Sequence, residues 1–228
     1  MRAWHLIKGE FRLLFFYGIL FLYGIFTGVY LCLLSVIPQA ARGITAVILI
    51  FTDPAAMGLF FMGAMVLLEK SQRVESSLAV SPVTISEYIL GKCVPFMTVG
   101  VLVALILSCF SGNGKLLLML AGVAFSSILF SMCGLLVGSH VNSLNGFMIA
   151  TIPFEIFLCA PAILYLFDFI KGAAWYLHPG VAAIRLIGGG TGAWYRDAAV
   201  LLLWMLLAYL GCKGAVKRSF QTMGGAKL

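Results

Sequence analysis

Apolar residues run in long blocks along this chain, and polar residues are confined to the short stretches between them. Residues 13–37, 44–68, 86–110, 116–138, 146–168 and 197–216 each form a block that is apolar almost without interruption. An α-helix crosses the hydrocarbon core of a bilayer with roughly 20 apolar residues, so the pattern predicts six transmembrane helices. Residues 1–12 differ. Trp4, Ile7, Phe11 and Leu14 recur at helical spacing while Arg2, Lys8 and Arg12 occupy other faces, which predicts an amphipathic helix in the membrane interface ahead of the first span.

The blocks carry internal punctuation. Gly24 and Gly28 form a small-xxx-small pair in span one, and Gly134 and Gly138 form another in span four; such pairs let helices approach closely. Asp53-Pro54 interrupts the second block. It reads as an N-cap followed by a first-turn proline, which would leave 44–52 as a re-entrant piece, or else as a kink in a full-length span. Pro95 predicts a kink in span three, and span five contains Pro153, Glu155 and Pro161.

The most polar stretch is 69–92, with Glu69, Lys70, Arg73, Glu75, Glu87 and Lys92. It predicts a short helix near 71–79 and a new helix from 82 or 85. Ser81-Pro82 marks that start, and Thr84-x-x-Glu87 has the form of a capping box. A second mixed segment, 169–196, carries Trp175, Tyr176, His178, Trp194 and Tyr195, a composition suited to a membrane interface.

Composition agrees with this architecture. Of 228 residues 62% are hydrophobic and 10% charged, too few charges to cover a soluble domain, for which about 25% is ordinary. Fifteen Lys and Arg against eight Asp and Glu give a net charge of +7. In an all-α polytopic membrane protein this excess sits at span ends and anionic head groups and requires no nucleic acid. With the N-terminus inside, Arg2, Lys8, Arg12, Lys70, Arg73, Lys92, Lys213, Lys217, Arg218 and Lys227 share one side, against Arg42, Lys115, Lys171, Arg185 and Arg196 on the other. The positive-inside rule then puts both termini and the 69–92 loop in the cytoplasm of a multi-pass cell-membrane protein.

Catalytic signatures are missing. The chain has no P-loop, no H-E-x-x-H and no G-x-S-x-G. Its three histidines lie in separate segments, and its six cysteines form no C-x-x-C pair, so neither a metal site nor a disulfide framework is indicated. The exceptional residue is Glu155, inside a span, where a charge costs about 2.5–3.5 kcal/mol on insertion scales. It reads as a polar contact in a translocation path or as a carboxyl satisfied by a neighbouring helix. Asp53 reads as a helix cap or as a second contact on that path.

The order Leu67-Leu68-Glu69-Lys70, Leu78, Ser81-Pro82-Val83, Glu87-Tyr88 and Lys92, leading directly into a span, resembles the cytoplasmic loop of permease subunits of type-two ABC exporters. The likeness extends to the amphipathic N-terminal helix, the six spans and the external segment before span six. It is nearest to small drug or antibiotic export permeases, those for fluoroquinolones included. The resemblance implies a permease that is not itself an enzyme and carries no cofactor. ATP and Mg would reside on a separate ABC ATPase subunit, and a second permease copy, identical or not, would complete the transporter. The 69–92 loop would be the coupling helix. Glu69, Lys70, Arg73, Val74, Glu75, Leu78, Ser81, Pro82 and Glu87 would serve the ATPase contact, with Arg73 and Glu75 as charge partners and Val74 and Leu78 as an apolar anchor. Asp53 and Glu155 would border a path lined by spans one, two and five. The competing expectation is an ATP-independent secondary carrier with Glu155 as its coupling residue.

Overall fold

The computed structural model describes residues 2–72, 83–111, 115–190 and 192–224, with side chains left out at 2–3, 53–56, 110–111 and 220–224. The described chain contains helices α1 (Arg2–Phe16), α2 (Ile19–Val36), α3 (Gln39–Ser71), α4 (Ile85–Ser111), α5 (Leu116–His140), α6 (Leu144–Leu166), α7 (Pro179–Ile187) and α8 (Trp194–Gly224). A 3₁₀ turn, Ala173–Leu177, precedes α7. Among the described residues six helices are long and apolar enough to cross a membrane: α2, α3, α4, α5, α6 and α8. The protein is an all-α polytopic membrane protein with a helix ahead of its first span.

Several boundaries differ from the hydropathy blocks. The N-terminal helix does not stop at residue 12 but runs to Phe16, and the first span begins at Ile19. The break falls where Gly18 takes a left-handed conformation, φ 71°, which costs glycine little and other residues more. The buried side of α1 is also rotated from the expected stripe. Leu14 is buried and Leu6, Ile7 and Phe11 are partly so, whereas Trp4 is exposed. Gly91 of α4 makes room here, since a Cβ at Gly91 would lie 3.2 Å from Leu6 Cβ.

No helix starts at Pro54. The backbone of α3 is helical without interruption from Gln39 to Ser71, so 44–52 is part of a continuous span and not a re-entrant piece. The helix continues because a proline costs the ladder only one donor, and α3 is packed against α4, α5 and α6, which support it through that gap. At 33 residues it is about 50 Å long at 1.5 Å per residue, so it outruns the hydrocarbon core.

The centre of the bundle is α5, which contacts α3, α4, α6, α7 and α8. It is apolar all round, as a helix enclosed by others must be. Small residues allow the close approach. Gly134 lies against the Leu59 carbonyl and Gly138 beside the Gly63 backbone, while Gly63 faces the Phe147 ring. Of the two small-xxx-small pairs, Gly134/Gly138 is thus the one used within the chain. Among the described residues nothing comes within 4 Å of the Cβ positions at Gly24 or Gly28.

These packings give a graded expectation. Gly134→Ala pushes a methyl into backbone, and overpacking of this kind costs about 1–3 kcal/mol. Gly24→Ala meets open space. Thermal unfolding of the purified chain in mild detergent should show a lowered midpoint for Gly134→Ala and little change for Gly24→Ala.

Candidate functional site

The polar groups that hydropathy placed in the 69–92 loop gather at the end of the bundle that carries both termini. Lys92, about two turns into α4, is buried to 1% exposure. Its ammonium donates to Glu10 of α1 at 3.0 Å and to Glu69 near the end of α3. Tyr88, one turn earlier on α4, donates its hydroxyl to the other Glu69 oxygen at 3.0 Å and lies 5.1 Å from the ammonium. One cation therefore joins three helices that are far apart in sequence. Burial pushes the Glu10 carboxyl above its ordinary value; Lys92 opposes that shift and Glu69 adds to it.

Lys70, the next residue on α3, points elsewhere. Its ammonium donates to the carbonyls of Gly138, Ser139 and Val141 at 2.8–3.0 Å. These are carbonyls at and just beyond the C-terminus of α5, where the helix has no N–H groups left to satisfy them and its dipole favours a cation. Glu69 and Lys70 thus face into the helix bundle. Glu87 closes the capping box expected of it: its carboxylate accepts from the Thr84 N–H and hydroxyl at 2.8 Å, and the Glu87 N–H donates to Thr84 Oγ1 at 3.3 Å. Arg73, Val74, Glu75, Leu78, Ser81 and Pro82 lie outside the described residues, between these two fixed roots.

An open, mainly apolar cleft of about 500 Å³ lies at the same end. Tyr17 in the α1–α2 break, Ile19 of α2, Phe61, Met65 and Leu68 of α3 and Leu144 of α6 line it. Its size is within the range of pockets that take small molecules.

The opposite end carries a second polar cluster. α7 is buried along nearly its whole length. It seats Gly180 against the Leu158 carbonyl of α6, with no room for a side chain. Arg185 donates to Asp197 in the first turn of α8 at 3.0 Å and to the Tyr165 hydroxyl at 3.0 Å. The guanidinium groups of Arg185 and Arg196 lie 4.4 and 4.3 Å from the Tyr176 ring centre. His178 packs edge-on to Phe157 at 4.8 Å, beside a carbonyl that Pro161 deprives of its helical donor. Burial lowers the His178 imidazole below its usual value, so it is neutral at pH 7.

The sequence reading did not single out Glu10, Tyr88 and Lys92 as a unit. A signal was present: Glu10 falls between Leu6 and Leu14 at four-residue spacing, an acid on the apolar face of an amphipathic helix. The Arg185–Asp197 pair left no such trace, because its partners lie on separate helices. Glu155 is not brought into either cluster. The Asp53 side chain lies outside the described residues, and Glu155 sits half-exposed at mid-span on α6. Among the described residues no group of three or more metal-capable side chains occurs.

The fold and these clusters define a polytopic α-helical membrane protein whose N-terminal helix is tied by buried charge to spans two and three. The chain resembles fluoroquinolone-type export permeases. Two curated proteins of Mycobacterium tuberculosis, from strains CDC 1551 and H37Rv, both named fluoroquinolones export permease protein, are 26% identical to it over 168 residues, covering 72% of this chain and 70% of theirs. No family model matches the chain.

Two outcomes follow from the clusters. Lys92→Met strands two buried carboxylates, and removing one partner of a buried pair costs about 3–5 kcal/mol. Glu10→Gln leaves Lys92 with Glu69 and should lower the thermal midpoint much less. For His178 the folded-state value is depressed, so the folded state binds fewer protons than the unfolded chain. Its contribution is intact above the ordinary value of about 6.5 and is lost as pH falls below it. Thermal stability should therefore decline between pH 7 and pH 5.5, with a shallower decline in His178→Gln.

Proposed function

We propose that the chain is the membrane-spanning permease subunit of a type-two ABC exporter and moves an amphipathic drug, antibiotic, peptide or lipid-like substrate. The observation that carries this reading is the Glu10–Lys92–Glu69 cluster. It locks together both roots of the 73–82 segment and the N-terminal helix. A push on that segment from a soluble motor is then delivered to spans two and three as one unit. In this reading the segment is the coupling helix of a cytoplasmic loop, with both termini also cytoplasmic. Arg73 and Glu75 pair with charges on the ATPase, and Val74 and Leu78 anchor in an apolar groove, while Ser81 and Pro82 begin the return to α4. Glu69, Lys70 and Glu87 act indirectly by fixing the roots. ATP and Mg are held by the ATPase subunit, and two permease copies, identical or different, enclose the path.

The likeness to proteins named as fluoroquinolone export permeases supports the choice of an amphipathic drug-like cargo and of export. The cleft between α2, α3 and α6 is a suitable entrance for such a molecule from the cytoplasmic leaflet. Asp53 and Glu155 border the path further along spans two and five.

Affinity capture of the tagged chain from native membranes in mild detergent tests the reading. A P-loop ATPase should copurify in stoichiometric amount and be lost with Leu78→Asp, while membrane insertion is retained. Capture without any ATPase, from membranes where one is expressed, contradicts the reading and favours an ATP-independent carrier coupled through Glu155.

A further inference from the structure

The described carboxylates can be taken one by one. Glu10 and Glu69 hold Lys92, Glu87 caps α4, Asp168 pairs with Lys171, and Asp197 pairs with Arg185. Glu155 alone among the described carboxylates has neither an ion pair nor a hydrogen bond. Its position makes this notable. It is the midpoint of α6, Leu144–Leu166, about 17 Å from either end at 1.5 Å per residue, and so at the depth where an ionisable group is least tolerated. It stands at the seam of the helix. Thr151, Leu158 and Ala162 turn to the buried side, and Ile152, Ile156 and Phe157 to the exposed side. Pro153, two residues earlier, removes the N–H that would tie down the Ile149 carbonyl. A polar, weakened stretch thus occupies the middle of an otherwise apolar span.

We infer that Glu155 is the specificity-determining residue for a substrate that carries a protonated amine on an apolar body. The inference rests on the reading that α6 borders the translocation path. A carboxylate facing pure lipid gains nothing to offset its lost hydration. One facing a path gains a charge-assisted hydrogen bond whenever an ammonium arrives. A single carboxylate offers too few oxygens for a divalent metal ion, which takes six or more. The neighbouring Ile152 and Ile156, both exposed, suit the hydrophobic part of an organic cation. A neutral amphiphile of equal size meets the same apolar wall without the charge contact.

The test uses the purified full-length chain in nanodiscs of zwitterionic lipid, with dansylcadaverine, which bears a primary ammonium, and its N-acetyl derivative, which does not. Empty nanodiscs give the partition background. The wild-type chain should bind the amine about tenfold or more tightly than the acetylated probe, the range of a charged hydrogen bond. Glu155→Gln should bring the amine down to the level of the acetylated probe and leave the latter unchanged, which also shows that the variant is folded. Glu155→Asp should keep the preference. A preference that survives Glu155→Gln, an equal weakening of both probes, or a wild-type chain without preference would each overturn the inference. The last two results point to Glu155 pairing with a second copy of the chain or to a purely structural role. None of them bears on the ATPase reading, which capture with Leu78→Asp judges separately.

Discussion

One buried ammonium, shared between two carboxylates, determines how the terminal end of this protein is assembled. Lys92 could not be sequestered alone, because an unpaired charge in an apolar setting costs several kcal/mol. Glu69 brings the end of span two to it, and Glu10 brings the N-terminal helix. Buried ion pairs contribute little net stability compared with apolar packing. What this one supplies is position: helices separated by 59 and 23 residues of chain can meet in only one register. Lys70 extends the same constraint to α5 by capping its carbonyls. The helices on either side of residues 73–82 are therefore both fixed to the bundle.

The opposite end uses a different construction. There α7 turns back into the bundle between α5, α6 and α8, held by Gly180 against α6 and by the Arg185–Asp197 pair. Pro161 frees a carbonyl beside His178, and Trp204 donates to the Leu177 carbonyl at 3.1 Å. Irregular backbone at this depth is tolerated because protein surrounds it and supplies partners. Between the two ends α2, α6 and α8 keep broad exposed apolar faces, the surfaces left for lipid or for a second copy.

Much of this was legible in the residues. Six spans follow from hydropathy because every lipid-exposed helix must be apolar along its length, and the capping box at Thr84 and Glu87 follows from local spacing alone. Three features were not legible, each for a physical reason. Asp53-Pro54 has the chemistry of a helix start, yet the packed helix α3 runs through it without ending. Glu69 and Lys70 have the chemistry of exposed loop charges, and only tertiary structure reveals that one meets Lys92 and the other the end of α5. The burial of α7 could not be read from 169–196, because its aromatics and glycines suit an interfacial loop equally well. Glu155 stood out from the start, since an acid at mid-span is conspicuous without any knowledge of its neighbours.

The proposed coupling role requires that α1, the end of α3 and the start of α4 move as one body when an ATPase acts on the 73–82 segment. The most direct measurement is the distance between spin labels at Lys8 on α1 and Leu90 on α4, both exposed, in a chain freed of its six cysteines and assembled with the ATPase proposed to drive it. The account predicts one narrow distribution that is the same without nucleotide, with ATP and after trapping with vanadate. A distribution that broadens or shifts on adding ATP would show the three helices moving independently and would contradict it.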